Sequence, residues 1–257
     1  VSQFNDERGF VVEETDSWKN DSNVYSVRDE KGREMWYRLD TAENEPENAP
    51  TMLVLHGVGY VSRPSYYAEK NWNTIKPIDQ NGYMNKGSWW LGEDNDFFTA
   101  ELLEMVVNES KKKIGSSDNS KLFIYGSSMG GYGAILHGVK LNATAIYANV
   151  PQVRLLGSTY SNNGMKPHFE AILGKNLDSK YNDLTKFLSH AEDHPLYFIC
   201  ENRFSSTKNY LEEHALKLVD WFLDNSINFH LEIIPNKGHN KNRGIREVRA
   251  LFELYCL

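Results

Sequence analysis

Three polar residues have the types and the chain order that acyl transfer through a covalent intermediate requires. Ser128 lies in the segment GSSMG, Glu201 follows the apolar run LYFIC, and His239 lies in the segment NKGHN. A serine hydroxyl is a weak nucleophile until a histidine accepts its proton, and a carboxylate commonly orients that histidine. We therefore predict that Ser128 is a nucleophile, that His239 is its general base, and that the Glu201 carboxylate accepts the Nδ1–H of His239.

The choice of His239 rests on its place in a polar loop, beside Gly238 and after the last predicted strand. The other downstream histidines fall in or beside helical or strand patterns, which favours structural roles: His137, His168, His190, His194, His214 and His230. The acid is less well defined. Asp178, Asp183 and Asp193 lie in the same interval between nucleophile and base, and they stay open as alternatives to Glu201.

The segment around Ser128, KLFIYGSSMGGYGAIL, predicts a strand, a sharp turn and a helix in succession. A serine at the apex of such a turn is held in a strained backbone conformation that projects its hydroxyl from the carboxyl edge of a sheet. A side chain two residues before or after it would collide with neighbouring backbone, which explains Gly126 and Gly130. Gly131 and Gly133 are poor helix formers, and they indicate a helix that lies close to the sheet.

The same chemistry needs hydrogen-bond donors for the oxyanion that develops on the attacked carbonyl. One donor is predicted to be the backbone N–H of Met129, at the start of the helix that follows Ser128. The second is expected from the loop after the apolar run Thr51–Leu55, where Val58 or Gly59 is suitably placed. His56 in that loop is then predicted to shape the loop rather than to act as a base.

Apolar runs and helical periodicity predict an α/β fold in one domain over residues 1–257. A hairpin over residues 23–39 precedes repeated strand–helix pairs, and Thr51–Leu55 is a continuous apolar run typical of a central strand. This order predicts a mostly parallel sheet with helices on both faces. Further elements are predicted as strands over 143–148, 196–200 and 227–234 and as helices over 96–114, 208–223 and 243–254, the first of them with Asp96 as its N-cap. Residues 60–96 and 149–193 are interpreted as long loops or cap insertions, the latter as a mixture of loop and short helices, and residues 1–22 have no clear placement.

Four segments together resemble the α/β-hydrolase superfamily, and esterase D and feruloyl-esterase-like serine esterases most of all: LVLHGVG, GSWWLGEDNDFF, IYGSSMGGYGA and NKGHN. The resemblance implies an α/β-hydrolase fold, with Ser128 as nucleophile and His239 as base. It departs at the acid, because the family commonly has an Asp in the loop where this chain has Glu201. A weaker similarity, to accessory-secretion and surface-polysaccharide proteins linked to glycan O-acetylation, suits a Ser–Glu–His set.

The segment 60–98 is rich in aromatic residues, and Tyr60, Trp89 and Trp90 are its candidates for binding a sugar ring. The alternative interpretation is that these aromatic side chains pack on the edge of the sheet.

Composition argues against several other classes of protein. The net charge of −7 offers no broad basic field for nucleic acid. No apolar stretch approaches the roughly 20 residues that span a membrane. No metal-ligand spacing and no phosphate-binding glycine loop is present, so no metal and no cofactor are expected. Two cysteines and the absence of a visible signal peptide favour a cytoplasmic location, although the start at Val1 leaves a removed leader or upstream domain open. The sequence does not indicate an oligomeric state.

The sequence thus predicts a serine esterase that acts through an acyl-enzyme on carboxylic esters, with O-acyl (acetyl) groups on a carbohydrate as the expected substrate. An O-acyltransferase that modifies a glycan with the same triad is the first alternative, since both reactions share the acyl-enzyme. A non-catalytic binding or assembly module of the same fold is an alternative of another class, and the intact pair of Ser128 and His239 argues against it.

Overall fold

The computed structural model describes residues 3–5, 11–13, 16–117 and 120–257. Its main feature is a mixed eight-stranded sheet, most of whose strands come from short apolar runs of the sequence. The strands are β1 (Gln3–Asn5), β2 (Val11–Glu13), β3 (Val24–Arg28), β4 (Glu34–Asp40), β5 (Thr51–Leu55), β6 (Asn73–Pro77), β7 (Leu122–Ser127), β8 (Ala145–Asn149), β9 (Leu196–Phe204) and β10 (Phe229–Lys237). The sheet has the order β10-β9-β8-β7-β5-β6-β4-β3, and β1 and β2 form a separate antiparallel pair. Strands β10 to β6 are parallel, whereas β4 and β3 are antiparallel to their neighbours, as the predicted hairpin requires.

The two central strands are β5 and β7, which pair in parallel with Leu53 opposite Ile124. All five residues of β5 and the first five of β7 are buried. A run of consecutive apolar residues points side chains to both faces of a sheet, so both faces must be covered. The predicted central position of these strands is confirmed, and Ser128 directly follows the end of β7.

The part of the chain that the structure describes has six α-helices around the sheet: α1 (Phe98–Ile114), α2 (Met129–Lys140), α3 (Lys166–Leu173), α4 (Leu184–Leu188), α5 (Lys217–Asp224) and α6 (Ile245–Cys256). Ile124 and its neighbours on one face pack in a large core with residues of α1 to α5. Phe123 and its neighbours on the other face pack against Val248 and Phe252 of α6. Helices therefore lie on both faces, as predicted. Within the described residues, none of them is long and apolar enough to cross a membrane.

The segment that the sequence indicated as a long loop over residues 60–96 contains a strand, β6, between β5 and β4. Its sequence, NTIKP, is polar, yet all five residues are buried. Lys76 is accommodated there because its ammonium donates to the Asp40 carboxylate, to the Thr74 hydroxyl at 2.8 Å and to the Tyr67 carbonyl at 2.8 Å. The segment 149–193 contains two short helices, α3 and α4, which agrees with its interpretation as a mixture of loop and short helices. The interpretation of residues 1–22 falls partly on positions 1–2, 6–10 and 14–15, which lie outside the described residues.

Candidate active site

The turn that carries Ser128 has the strained geometry expected from its glycines. Ser128 has φ 55° and ψ −118°, a conformation that residues with a side chain rarely adopt. A Cβ on Gly126 would lie 1.9 Å from the Gly130 carbonyl oxygen, and a Cβ on Gly130 would lie 2.2 Å from the Leu55 carbonyl oxygen. A Cβ on Gly133 would lie 2.5 Å from Cδ1 of Trp90. The sharp turn between β7 and α2 is therefore confirmed, and only glycine fits at its crowded positions.

Ser128 and His239 are brought together although 111 positions separate them in the sequence. Nε2 of His239 lies 2.8 Å from Oγ of Ser128, within hydrogen-bond distance. Burial lowers the pKa of His239 to about 4, so its imidazole is neutral near pH 7 and can accept a proton. The Tyr160 ring stacks on this imidazole at a centroid distance of 5.6 Å and restrains its plane.

The other ring nitrogen of His239 faces Ser205, and not the predicted Glu201. Nδ1 of His239 lies 3.1 Å from Oγ of Ser205. Oε1 of Glu201 instead accepts the backbone N–H of Asn202 at 2.8 Å, and Oε2 has no hydrogen-bond partner among the described residues. Burial raises the pKa of Glu201 to about 8. The predicted hydrogen bond between Glu201 and His239 is thus absent from this structure. The physical reason is that β9 continues to Phe204, so Glu201 lies within the strand and the loop begins only at Ser205.

The three alternative acids lie elsewhere in the described chain. Asp183 caps α4 through Thr185 and forms an ion pair with Lys217. Asp178 is exposed, and the charge of Asp193 acts on His194. The contacts described for His239 include none of these three carboxylates.

Gln152 supplies a further polar contact to the nucleophile that the sequence analysis missed. Its Nε2 donates to Oγ of Ser128 at 3.3 Å and to the hydroxyl of Tyr210 at 2.5 Å. Its Oε1 accepts the indole N–H of Trp89 at 2.9 Å, which fixes the orientation of the amide. The signal that could have found Gln152 is its position three residues after the end of β8, where side chains of a parallel sheet converge on the site.

Asn202 holds the loop that carries His239. Its side-chain amide donates to the carbonyl oxygens of Gly238 at 3.0 Å and of Asn240 at 2.9 Å, the two residues that flank the histidine. The Gly238 N–H in turn donates to the Phe204 carbonyl oxygen at 2.6 Å. Asn202 is fully buried, so these two hydrogen bonds are shielded from water.

The donors expected for an oxyanion differ in their availability. The backbone N–H groups of Met129 and Val58 donate to no backbone or side-chain acceptor within the described residues. The Gly59 N–H donates to the Lys86 carbonyl oxygen at 2.8 Å, so it is engaged and the expectation for Gly59 is wrong in this structure. His56 donates to the Gly57 carbonyl oxygen through Nδ1 and accepts the Asp79 N–H through Nε2, which agrees with its predicted loop-shaping role.

A cavity of about 580 Å³ opens beside Ser128 and His239 and is also lined by Tyr60. Tyr60 is 75% exposed and can contact a ligand. Trp89 and Trp90 are completely buried, so their predicted role in binding a sugar ring is wrong. Trp89 packs edge-on against Phe169, and Trp90 packs against His56. Both rings belong to the large hydrophobic core, so they pack inside the protein, as the alternative interpretation expected, and do not face a ligand.

No known protein-family profile matches the sequence, and no curated protein matches it. Solved structures do resemble it. The fluorophosphonate-binding serine hydrolase FphF of Staphylococcus aureus matches over 90% of this chain and 96% of its own, with 17% identity and a TM-score of 0.65. An S-formylglutathione hydrolase from Agrobacterium tumefaciens matches over 84% and 87%, with 16% identity and a TM-score of 0.64. The capsule O-acetyltransferase of Neisseria meningitidis serogroup A matches over 91% and 95%, with 16% identity and a TM-score of 0.66.

The chain has the α/β-hydrolase fold. In this fold the turn after a central strand presents a nucleophile at the carboxyl edge of the sheet, and here that turn presents Ser128. The loops after β9 and β10 bring Ser205 and His239 to the same edge, because these strands are parallel neighbours. The carboxyl edge of this sheet can therefore support nucleophilic attack by a serine with a histidine as base. The described residues contain no group of three or more His, Cys, Asp or Glu side chains that could hold a metal ion.

Proposed function

We propose that this protein is a serine hydrolase that acts through an acyl-enzyme on carboxylic esters, with O-acyl groups on a carbohydrate as the substrate class. The observation that carries the proposal is the 2.8 Å distance between Oγ of Ser128 and Nε2 of His239, at a turn where Ser128 has a strained backbone conformation. Backbone strain of this kind persists where the surrounding structure supports a functional geometry. The three structural neighbours of similar fold, two hydrolases and an O-acetyltransferase, support the same chemistry.

In the proposed reaction, His239 accepts the hydroxyl proton through Nε2 as Oγ of Ser128 attacks the ester carbonyl carbon. The developing oxyanion is stabilised by the N–H groups of Met129 and Val58, each such donor being worth about 3 to 4 kcal/mol of barrier. The carbon–oxygen bond to the alcohol then breaks, and His239 gives its proton to the departing alkoxide. Water attacks the acyl-enzyme with His239 again as base, which releases the acid and restores Ser128.

His239 can act in this way only if Nε2 carries no proton, so Nδ1 must carry it. We assign Ser205 as the positioning residue that accepts this Nδ1–H and selects the tautomer. A hydroxyl has no net charge and stabilises the imidazolium less than a carboxylate does. Glu201 stays a prediction as the acidic member of the set. Its carboxyl group lies near Tyr210, where burial first and the charge of Glu201 second raise the pKa of the Tyr210 hydroxyl.

An O-acyltransferase is the second candidate, because the capsule O-acetyltransferase shares the fold over nearly the full length of both chains. In that reaction a sugar hydroxyl takes the place of water and attacks the same acyl-enzyme. The distinction depends on which acceptor reaches the acyl-enzyme first. The O-acyl carbohydrate substrate is proposed on the same likeness, together with the exposed Tyr60 beside the nucleophile.

The test is covalent labelling with a fluorophosphonate, followed by mass spectrometry of the modified peptide. We expect labelling at Ser128, its loss in Ser128→Ala and in His239→Ala, and its retention in Ser127→Ala, the adjacent serine. Absence of labelling in the folded wild-type protein would favour a non-catalytic module. A separate experiment uses the acyl-enzyme formed from an ester substrate. Its incubation with water alone and with an added oligosaccharide distinguishes hydrolysis from transfer, by whether free acid or acylated sugar accumulates.

A further inference from the structure

The charged side chains that line the cavity beside Ser128 are all cationic. They are Arg63 in the loop after β5, Lys76 in β6, and Lys241 in the loop that carries His239. Among the described residues, no Asp and no Glu lines this cavity. The whole chain has 35 acidic and 28 basic residues and a net charge of −7. The cavity is therefore lined by positive charge, whereas the molecule as a whole is negative. Such a local excess of one sign concentrates ligands of the other sign in a cleft.

Two of these three cations have charge available for a ligand. The Lys76 ammonium is already paired with the Asp40 carboxylate and is almost completely buried. Arg63 and Lys241 are exposed, and neither forms an ion pair with a carboxylate of the described residues. The Arg63 guanidinium lies 4.9 Å from the centroid of the Tyr66 ring, a contact that orients it without neutralising its charge.

Lys241 lies two residues after His239, and Arg63 lies three residues after the exposed Tyr60. The two cations therefore come from different loops and meet at one cavity with the nucleophile and the base. This arrangement suits a substrate with an anionic group within a few ångströms of the ester, because attraction at such distances is only partly screened by salt.

We propose that Arg63 and Lys241 form a subsite for an anionic group of the substrate, so that the preferred ester is one of an acidic molecule, such as a sugar with a carboxylate or a phosphate. The inference rests on the proposed function, since it assigns the substrate class of the same site. Tyr60 would contact the uncharged part of the same substrate beside these cations.

The test compares two fluorophosphonate probes that differ only in whether the tail ends in a carboxylate or in its methyl ester. The second-order rate of labelling at Ser128 is measured for both probes, at low and at high salt, in wild-type protein, Arg63→Gln, Lys241→Gln and Lys175→Gln. The last variant is the matched control, because Lys175 is an exposed cation outside the cavity. The quantity of interest is the ratio of the two rates, which cancels any general effect of a variant on reactivity.

We expect the carboxylate probe to react faster than its methyl ester, by about three- to tenfold, at low salt. The ratio should fall towards one in Arg63→Gln, in Lys241→Gln and at high salt, and should be unchanged in Lys175→Gln. A wild-type ratio of one or less, or a ratio that neither cavity variant lowers, would overturn the anionic subsite and leave the serine hydrolase proposal intact. Failure of both probes to label Ser128 would instead refute the proposed function itself.

Discussion

At the residue scale, the contact to Nδ1 of His239 differs from the one that the sequence predicted. The sequence indicated Glu201, because it follows the apolar run LYFIC, but strand pairing with β10 continues past that point to Phe204. Alternation along a strand cannot be read from a polar segment such as ENRF, so the sequence did not show where the loop begins. Ser205, the first residue after β9, gave no signal of its own, since an isolated serine in a loop is commonplace.

We predict that Ser205→Ala lowers kcat for ester hydrolysis about tenfold, and more than Glu201→Gln does. The physical reason is that Nδ1 of His239 lies 3.1 Å from the Ser205 hydroxyl, so loss of this acceptor frees the imidazole to adopt the wrong tautomer. Ser205→Thr, which keeps the hydroxyl, should restore most of the rate. The matched control is Ser206→Ala, because that neighbouring hydroxyl has no hydrogen-bond partner among the described residues. A larger loss of kcat in Glu201→Gln would show that the carboxylate predicted from the sequence is the true partner.

At the scale of elements, the sequence predicted the two central strands, β5 and β7, and missed β6, which lies beside β5. β5 and β7 were found because burial on both faces leaves no polar position in them. β6 was missed because NTIKP contains an Asn, a Lys and a Pro, and the burial of Lys76 depends on an ion pair with Asp40 that local sequence does not reveal. The start of α1 was also misplaced. Asp96 was predicted as its N-cap, yet the helix begins at Phe98 and the Asp96 carboxylate accepts from Arg33 instead.

The position of the loop between β10 and α6 depends on a residue of another strand, β9. Asn202 of β9 fixes the carbonyl groups on both sides of His239, so the position of the base is set by the neighbouring strand. We predict that Asn202→Asp lowers the rate of fluorophosphonate labelling by about tenfold or more, because a carboxylate oxygen would then face two carbonyl oxygens in a buried place.

Asn202→Leu should lower the same rate while folding normally, since it removes the donors and keeps a similar volume. Asn108→Asp, a surface change on α1, is the control for the added charge. Thermal unfolding of each variant separates loss of the loop position from loss of the fold. Labelling of Asn202→Asp at the wild-type rate would mean that the His239 loop holds its position without this contact.

At the scale of the whole molecule, the α/β-hydrolase fold places a strained residue at the junction of a central strand and the helix that follows. Ser128 has a positive φ, and a residue with a Cβ in this region costs of the order of 1 to 3 kcal/mol. The surrounding sheet and α2 hold the turn in place, because neighbouring backbone packs so closely at Gly126 and Gly130 that the turn has no room for another arrangement. The strain at Ser128 therefore lowers the free energy of unfolding of the whole domain, and in return it holds one hydroxyl in position.

We predict that Ser128→Gly abolishes labelling and ester turnover yet raises the free energy of unfolding by about 1 kcal/mol. Glycine adopts a positive φ without steric cost, and the relief of strain exceeds the additional backbone entropy of about 0.5 to 1 kcal/mol that glycine gives the unfolded chain. Urea unfolding followed by circular dichroism measures the difference. Ser127→Gly is the matched control: Ser127 belongs to β7, where glycine brings the entropic cost and removes the hydroxyl that accepts from Asn149 at 3.4 Å, so it should destabilise the domain. If Ser128→Gly were as destabilising as Ser127→Gly, the backbone at Ser128 would carry no strain, and the geometry of the turn would need another explanation.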